Sequence, residues 1–245
     1  MKISLENSSF FCIFAVRMKN IAVILAAGSG SRAGEGLPKQ FRTLPDGRTV
    51  METCLAPFEQ CDAVDSILLV VHPDFIALAQ QLMLACGWQK VRSIVTGGAT
   101  RVESSWLALQ ALRDEPEPAN VLIHDCARPF VSPRIIIDVC RALEENEAVS
   151  VAIPCTDTIY ETNGTKPFFL HNIPPRNTLF RAQTPQAFRL HRLREAYTKT
   201  MSQASGTSLF TDDAGVFRTA FPEIRICLVD GEEANRKITF QEDLL

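Results

Sequence analysis

Apolar runs alternate along the chain with segments in which apolar residues recur at helical spacing. Continuous, often β-branched runs predict buried parallel strands. They are Ile21–Ala27, Ser66–Val71, Val91–Thr96, Val121–His124 and Ala148–Ile153, with a later strand at Arg225–Val229. Helical spacing predicts helices at Thr49–Cys61 (bent near Pro57), Phe75–Cys86, Val102–Leu112, Ile135–Leu143 and residues 189–200. This alternation predicts an α/β fold, with a mostly parallel sheet flanked by helices.

The segment from about residue 154 to residue 180 breaks this alternation. It contains four prolines and an Asn163-Gly164 turn between short extended pieces. We interpret it as a hairpin arm that protrudes from the main sheet.

The expected position of a ligand follows from the sheet. Ligands on parallel sheets bind beyond the carboxyl ends of the strands. That rule gathers Gly28–Lys39, Gly97–Ser104 and His124–Arg128 into one crevice.

The composition and net charge of the chain limit the classes of ligand that it is expected to bind. The chain has 245 residues, a net charge of -3 and 22% charged residues. This balance disfavours nucleic acid as the main partner but allows a small phosphorylated ligand. No apolar run reaches the length of a membrane span, and the eight cysteines form no C-x-x-C pair, so we expect reduced thiols in a cytoplasmic protein. Residues 1–17 are expected to be a disordered extension or an upstream start, with a signal peptide as the alternative.

The glycine-rich stretch after the first strand allows three interpretations. Gly28-Ser29-Gly30-Ser31-Arg32-Ala33 fits the dinucleotide fingerprint, but the second strand with its acidic end is missing where it should follow. A Walker A loop fails because no glycine precedes Lys39 and no Ser or Thr follows it. The third interpretation is a different triphosphate loop, in which backbone N–H groups, Arg32 and Lys39 meet the phosphates.

Seven blocks of sequence then carry a family resemblance. In order they are LAAGSGSR…LPKQF, GGATRVESSWLAL, VLIHDCARPFVSP, CTDTIY, RNTLFRAQTPQAF, FTDDAG and NRKIT. Together they resemble the 2-C-methyl-D-erythritol 4-phosphate cytidylyltransferase family over about residues 20–245. The resemblance implies a Rossmann-like nucleotidyltransferase domain at 18–245, with a dimerisation and substrate arm at about 154–180. Some relatives continue into a cyclodiphosphate synthase, so this chain is either a short form or one half of a bifunctional protein.

The implied reaction transfers CMP from CTP to methylerythritol phosphate with Mg²⁺, releasing pyrophosphate. The resemblance assigns Arg32, Lys39, Arg176 and Lys237 to catalysis. It assigns Ala26, Ala27, Gly28, Gly30, Gly98, Ser104 and Asp125 to the nucleotide, with Asp125 also a candidate metal ligand. The resemblance assigns binding of the second substrate to Arg128, Thr158, Arg176, Thr211 and Lys237. For Arg128, a role as an ion-pair scaffold residue is the alternative.

The remaining expectations concern the oligomeric state of the protein and the alternative functions. The resemblance implies a homodimer formed through the arm, in which Arg176 acts either within its own subunit or across the subunit boundary. A cytidylyltransferase for another polyol phosphate, such as ribitol 5-phosphate, is the alternative within the class. An NAD(P)-dependent oxidoreductase and a non-catalytic binding module are remoter alternatives.

Overall fold

The computed structural model describes residues 18–28, 37–201 and 210–244. The strands in these residues are β1 (Lys19–Ala26), β2 (Ser66–Val71), β3 (Val91–Thr96), β4 (Ala119–Asp125), β5 (Ala148–Pro154), β6 (Glu161–Thr162), β7 (Leu170–Asn172), β8 (Phe180–Arg189) and β9 (Cys227–Asp230). The helices are α1 (Val50–Gln60), α2 (Ile76–Cys86), α3 (Arg101–Ala111), α4 (Pro133–Glu145), α5 (Leu190–Met201) and α6 (Asp213–Ala220). The α/β alternation predicted from the apolar pattern is confirmed.

Two helices begin with the same sequence signal. Thr49 caps α1 and Thr100 caps α3, and each threonine side chain accepts from the backbone N–H three residues later. Glu52 and Glu103 return the bond to the capping residue's own N–H. These reciprocal capping boxes satisfy backbone donors at both helix starts. The second box fixes the point at which the chain leaves the Gly97-Gly98 turn.

Seven strands form one mixed sheet in the order β3-β2-β1-β4-β8-β5-β9. β1 pairs in parallel with β2 on one side and with β4 on the other. The chain therefore crosses from one side of β1 to the other, and the crevice between the ends of β1 and β4 is a topological switch point.

Helices cover both faces of this sheet. On one face α1, α2 and α4 pack against alternate sheet residues such as Ala22 and Ile24. On the other face α3, α5 and α6 pack against Ile21 and Val23. Because each strand is buried on both sides, its sequence is a continuous apolar run.

Strand β8 is an element that the apolar pattern did not predict. It pairs antiparallel with β4 and β5 in the middle of the sheet, although it contains Pro185. Its pairing with β5 is interrupted between Gln186 and Ala182, and Pro185 lies in that irregular stretch. A proline is tolerated there because its missing N–H is not required for the ladder.

The predicted arm is present as an exposed hairpin. β6 and β7 form a separate two-stranded sheet, and Gly164 between them has a positive φ of 77°. That backbone conformation is accessible to glycine at little cost, which explains the Asn-Gly turn. Within the residues described, no helix combines the length and apolar character that crossing a bilayer requires. The predicted extension at residues 1–17 lies outside them.

Candidate active site

The described residues enclose a cavity of about 490 Å³ at the carboxyl ends of β1 to β4. Its wall combines the glycine turn after β1, the Gly97–Arg101 turn, the end of β4 and the loop after β9. Lining residues are Leu25 to Gly28, Lys39, Gln40, His72, Pro73, Gly97 to Arg101, Ser104, Asp125 to Ala127, Lys237 and Thr239. The crevice predicted from the parallel sheet is therefore confirmed for the parts of its three segments that are described and line this wall.

The turn after β1 presents backbone to the cavity. Ala26, Ala27 and Gly28 line it, and the Gln40 amide donates to the carbonyls of Ala26 and Gly28 at 2.7 and 3.0 Å. Gln40 thus fixes the backbone of the turn. The predicted site residues Gly30 and Arg32 lie outside the described residues.

The second glycine turn is equally well fixed. Ser104 Oγ accepts from Gly98 N at 3.1 Å and donates to Thr100 O at 2.9 Å. A Cβ on Gly97 would meet the Ala27 Cβ at 2.2 Å, so the two turns pack directly against each other. Gly98 and Ser104, both predicted to contact the nucleotide, lie in the cavity wall.

Two lysines reach the cavity from opposite ends of the chain. Lys39 Nζ donates to the carbonyl of Ile238 at 2.8 Å. Ile238 N in turn donates to Ala127 O at 2.7 Å, which ties the loop after β9 to the end of β4. This loop also carries Lys237, so the two predicted cations share one wall.

Asp125 is the carboxylate at the centre of that wall. Its Oδ2 accepts from Lys237 Nζ at 2.8 Å and its Oδ1 accepts from Arg101 Nε at 2.8 Å. Burial alone would raise the pKa of this carboxyl, but Arg101 and Lys237 outweigh burial and hold the pKa well below its usual range. Asp125 is therefore an anion at any physiological pH.

Arg101 was not predicted as a functional residue. Besides Asp125, it reaches Asp213 at the start of α6, with Nη1 2.6 Å from Oδ2. Asp213 is fully buried and also accepts from the Tyr197 hydroxyl at 2.6 Å. The preceding residue, Asp212, caps α6, whereas Asp213 pairs with Arg101. An arginine three residues after a strand-end Gly-Gly was the available signal.

His124, near the end of β4, is a buried hydrogen-bonding residue. Thr184 Oγ1 accepts from Asp125 N at 3.1 Å, so its hydroxyl proton is available for His124 Nδ1 at 3.0 Å. The other ring nitrogen then donates to Arg128 O at 3.0 Å. Burial lowers the pKa of His124 to about 4, which keeps the ring neutral. Thr184 comes from the irregular part of β8, so the unpredicted strand helps to position Asp125.

The structure does not bring every predicted residue to the cavity. Arg128 donates to the carbonyls of Asn235 and Ala182 at 2.9 and 3.2 Å, an arrangement that holds two loops together. Three other residues were predicted to bind the second substrate, which accepts the CMP group and is called the acceptor below. These residues, Thr158, Arg176 and Thr211, are exposed and do not line the cavity.

His72 and Pro73, which follow β2, also line the cavity and were not predicted as site residues. His72 Nδ1 accepts from Asp74 N at 3.3 Å and begins a short 3-10 turn after β2. Its place directly after a buried parallel strand was the available signal, because all such strand ends face the ligand crevice.

Asp125 is compatible with the implied Mg²⁺. Protein-bound Mg²⁺ keeps several waters and is bound by one or two carboxylates together with substrate phosphates. Each Asp125 oxygen accepts one of these two hydrogen bonds and has a further lone pair for a metal ion. Among the described residues no group of three His, Cys, Asp or Glu side chains could hold a metal alone. A metal here therefore needs phosphate oxygens to complete its ligands.

A glycine-lined cavity with three cations beside one ionised carboxylate, at the switch point of a parallel sheet, is typical of a nucleotidyltransferase. The family model described as "IspD: 2-C-methyl-D-erythritol 4-phosphate cytidylyltransferase" matches residues 20–245. The chain belongs to this family.

The names of individual relatives are of two kinds. A protein of Thermobifida fusca named 2-C-methyl-D-erythritol 4-phosphate cytidylyltransferase is 38% identical over 230 residues, which are 93% of this chain and 91% of that protein. The Haemophilus influenzae bifunctional ribulose 5-phosphate reductase/CDP-ribitol pyrophosphorylase Bcs1 is 37% identical over 92% of this chain, which spans 47% of that protein. The crystal structure of 4-diphosphocytidyl-2C-methyl-D-erythritol synthase from Anaerococcus prevotii superposes with a TM-score of 0.79 at 29% identity, covering 93% of each chain.

Proposed function

We propose that this protein transfers CMP from CTP to 2-C-methyl-D-erythritol 4-phosphate. The products are 4-diphosphocytidyl-2-C-methyl-D-erythritol and pyrophosphate. The observation that carries the proposal is the joint placement of Lys39, Lys237 and the Gly28 turn around one cavity. Family membership and the name of the Thermobifida fusca relative support the choice of both substrates.

The reaction requires positioning and charge stabilisation more than covalent help. An oxygen of the acceptor phosphate forms a bond to the α-phosphorus of CTP, and the bond from that phosphorus to the bridging oxygen breaks. Pyrophosphate leaves with the electron pair. No general base is needed, because a phosphate monoester is already largely ionised near neutral pH.

Each half of the cavity has its own task in this scheme. The backbone of Ala26, Ala27, Gly28 and Gly98 lies against the nucleotide, with Ser104 supporting the second turn. Lys39, together with Arg32, stabilises charge that develops around the α-phosphorus. Lys237 binds the phosphate of the acceptor as a compact cation.

We also propose Mg²⁺ as the metal of the reaction, with Asp125 and the triphosphate holding it. Bound there, the ion neutralises phosphate charge. Asp125 supplies a permanent negative charge for it, since Arg101 and Lys237 keep the carboxyl ionised.

The arm supports assembly of two copies. Tyr160, Phe168 and Phe169 are 64%, 59% and 64% exposed in the single chain, and such aromatic patches are typical of interfaces. Arg176 lies on this arm, where its Nη1 donates to Thr156 O at 3.1 Å. We propose that a symmetric dimer places Arg176 and Thr158 of one copy in the acceptor half of the other copy's cavity.

Subunit mixing tests this arrangement. Lys39→Ala and Arg176→Ala chains are each expected to be inactive, and mixed dimers should regain activity because one of their two sites is intact. Random mixing predicts about a quarter of the wild-type activity if Arg176 acts across the interface. No regain with demonstrated exchange of subunits would contradict it.

Pyrophosphate release with CTP, Mg²⁺ and a panel of polyol phosphates tests the function itself. Methylerythritol phosphate should be turned over with a much higher kcat/KM than ribitol 5-phosphate. The reverse preference would favour the activity named for the Haemophilus influenzae relative. CTP binding without pyrophosphate release would indicate a binding module.

A further inference from the structure

Arg101 joins two parts of the site that are far apart in sequence. It follows Thr100, which caps α3, so its backbone is fixed by the capping box. Its Nε lies 2.8 Å from Asp125 at the end of β4, and its Nη1 lies 2.6 Å from Asp213 at the start of α6. One planar guanidinium therefore holds two carboxylates in a fixed relative position.

The charges of this group balance. Arg101 and Lys237 are cations, and Asp125 and Asp213 are anions in contact with them. Asp125 divides its two oxygens between the two cations, at 2.8 Å each. The position of the Lys237 ammonium group therefore depends on the orientation of Asp125, and Arg101 fixes that orientation from the opposite oxygen.

Stability alone does not account for the placement of Arg101. Its Nη2 is buried and has no hydrogen-bond partner among the described residues. A buried donor without a partner is costly, and unsatisfied groups of this kind concentrate where function constrains the geometry.

We propose that Arg101 is a positioning residue for the acceptor substrate. It holds Asp125 so that Lys237 stays at the cavity wall, ready to contact the acceptor phosphate. This inference rests on the proposed function, because the role of Lys237 toward that phosphate belongs to it. Without Arg101, the Asp125 side chain is held by Lys237 and can rotate, and the Lys237 ammonium group moves with it. The acceptor phosphate must then compete with Asp125 for an ammonium group that has left its place in the cavity wall.

Separating this role from a merely structural one requires a charge-balanced pair of substitutions. Arg101→Met leaves Asp213 without its cation and is expected to lower the melting temperature. Adding Asp213→Asn removes the unpaired charge, so the double variant should melt close to the wild type. If Arg101 positions Asp125, the double variant should still show kcat/KM for the acceptor lowered by about tenfold or more. The KM for CTP should change less, by about threefold, because the backbone of the Gly28 and Gly98 turns still lines the nucleotide's part of the cavity.

A matched control is available just beyond the end of the same helix. Arg113 follows α3, and its exposed side chain pairs with Asp114 at 3.3 Å, away from the cavity. Arg113→Met should leave both substrates' parameters unchanged.

Two outcomes would overturn the inference. Recovery of acceptor kcat/KM together with stability in the double variant would mean that Arg101 only balances Asp213. A parallel rise in the KM for CTP would mean that Arg101 acts on the nucleotide. A wild-type protein without turnover would instead contradict the proposed function, and the inference would fall with it.

Discussion

Replacement of Lys39 by alanine should separate catalysis from stability. The Lys39 ammonium lies in the cavity wall and donates to Ile238 O at 2.8 Å. A full charge about 4 Å from developing phosphate charge contributes about 4 kcal/mol at an effective dielectric constant near 20. Part of this attraction already acts on bound CTP, so the loss specific to the transition state is about 3 kcal/mol. That corresponds to a fall in kcat on the order of 10²-fold or more.

The same substitution should have a small effect on folding. The lost hydrogen bond is partly buried and contributes about 1 kcal/mol, which lowers the melting temperature by about 2–4 °C in a chain of this size. Initial rates of pyrophosphate release at saturating CTP and acceptor give kcat, and thermal unfolding gives the second quantity.

Lys90 provides the matched control for this experiment. Its Nζ donates to Cys61 O at 2.7 Å, a contact of the same kind that lies away from the cavity. Lys90→Ala should therefore show a similar loss of stability with wild-type kcat. A Lys39→Ala protein that retains kcat within fivefold of wild type would refute the assigned role, as would an equal loss in Lys90→Ala.

Two further predictions concern the floor of the cavity and the end of β4. Gly97→Ala should cost about 1–3 kcal/mol of stability and weaken CTP binding, because its Cβ would lie 2.2 Å from the Ala27 Cβ. Gly28→Ala, whose Cβ meets no atom of the described residues within 4 Å, should melt like the wild type. A thermal-shift series with and without CTP checks both, and unchanged Gly97→Ala curves would contradict the packing argument. The pKa of His124 is lowered to about 4 in the folded protein, so protonation favours the unfolded state, and stability present above about pH 6.5 falls as the pH drops toward 4. Urea unfolding should show a free energy of unfolding about 2 kcal/mol lower at pH 5 than at pH 7.5. This loss should be smaller in His124→Gln and unchanged in the control variant His191→Gln. The same pH dependence of the free energy of unfolding in all three proteins would contradict the prediction.

The fold followed from the sequence wherever burial on both faces produced continuous apolar runs. β2 and β3 have the predicted bounds, and β1, β4 and β5 differ by a few residues at their ends. The apolar pattern did not predict β8, because its buried residues include Gln183, Thr184 and Gln186. Their polar side chains form hydrogen bonds with the loop after β9, with His124 and with the cap of α6, respectively. A central strand with polar side chains and a proline carries no apolar signal, and only the tertiary contacts reveal it.

The sequence predicted those site residues whose position is determined by the end of a parallel strand. Gly28, Gly98, Lys39 and Asp125 all follow or end parallel strands, and all reach the cavity. The pairing of Arg101 with Asp213 joins residues 112 positions apart and has no local pattern. Arg176 and Thr158 depend on an interface between copies, which remains a prediction.

The central claim is that an acceptor phosphate oxygen displaces pyrophosphate from CTP in this cavity. Its most direct test is a reaction with Mg²⁺, CTP and methylerythritol phosphate whose phosphate oxygens carry ¹⁸O, followed by mass spectrometry of both products. The account predicts that all of the label remains in the cytidine diphosphate ester and that the pyrophosphate is unlabelled. Labelled pyrophosphate, or release of CMP and pyrophosphate at the same rate without the acceptor, would contradict it.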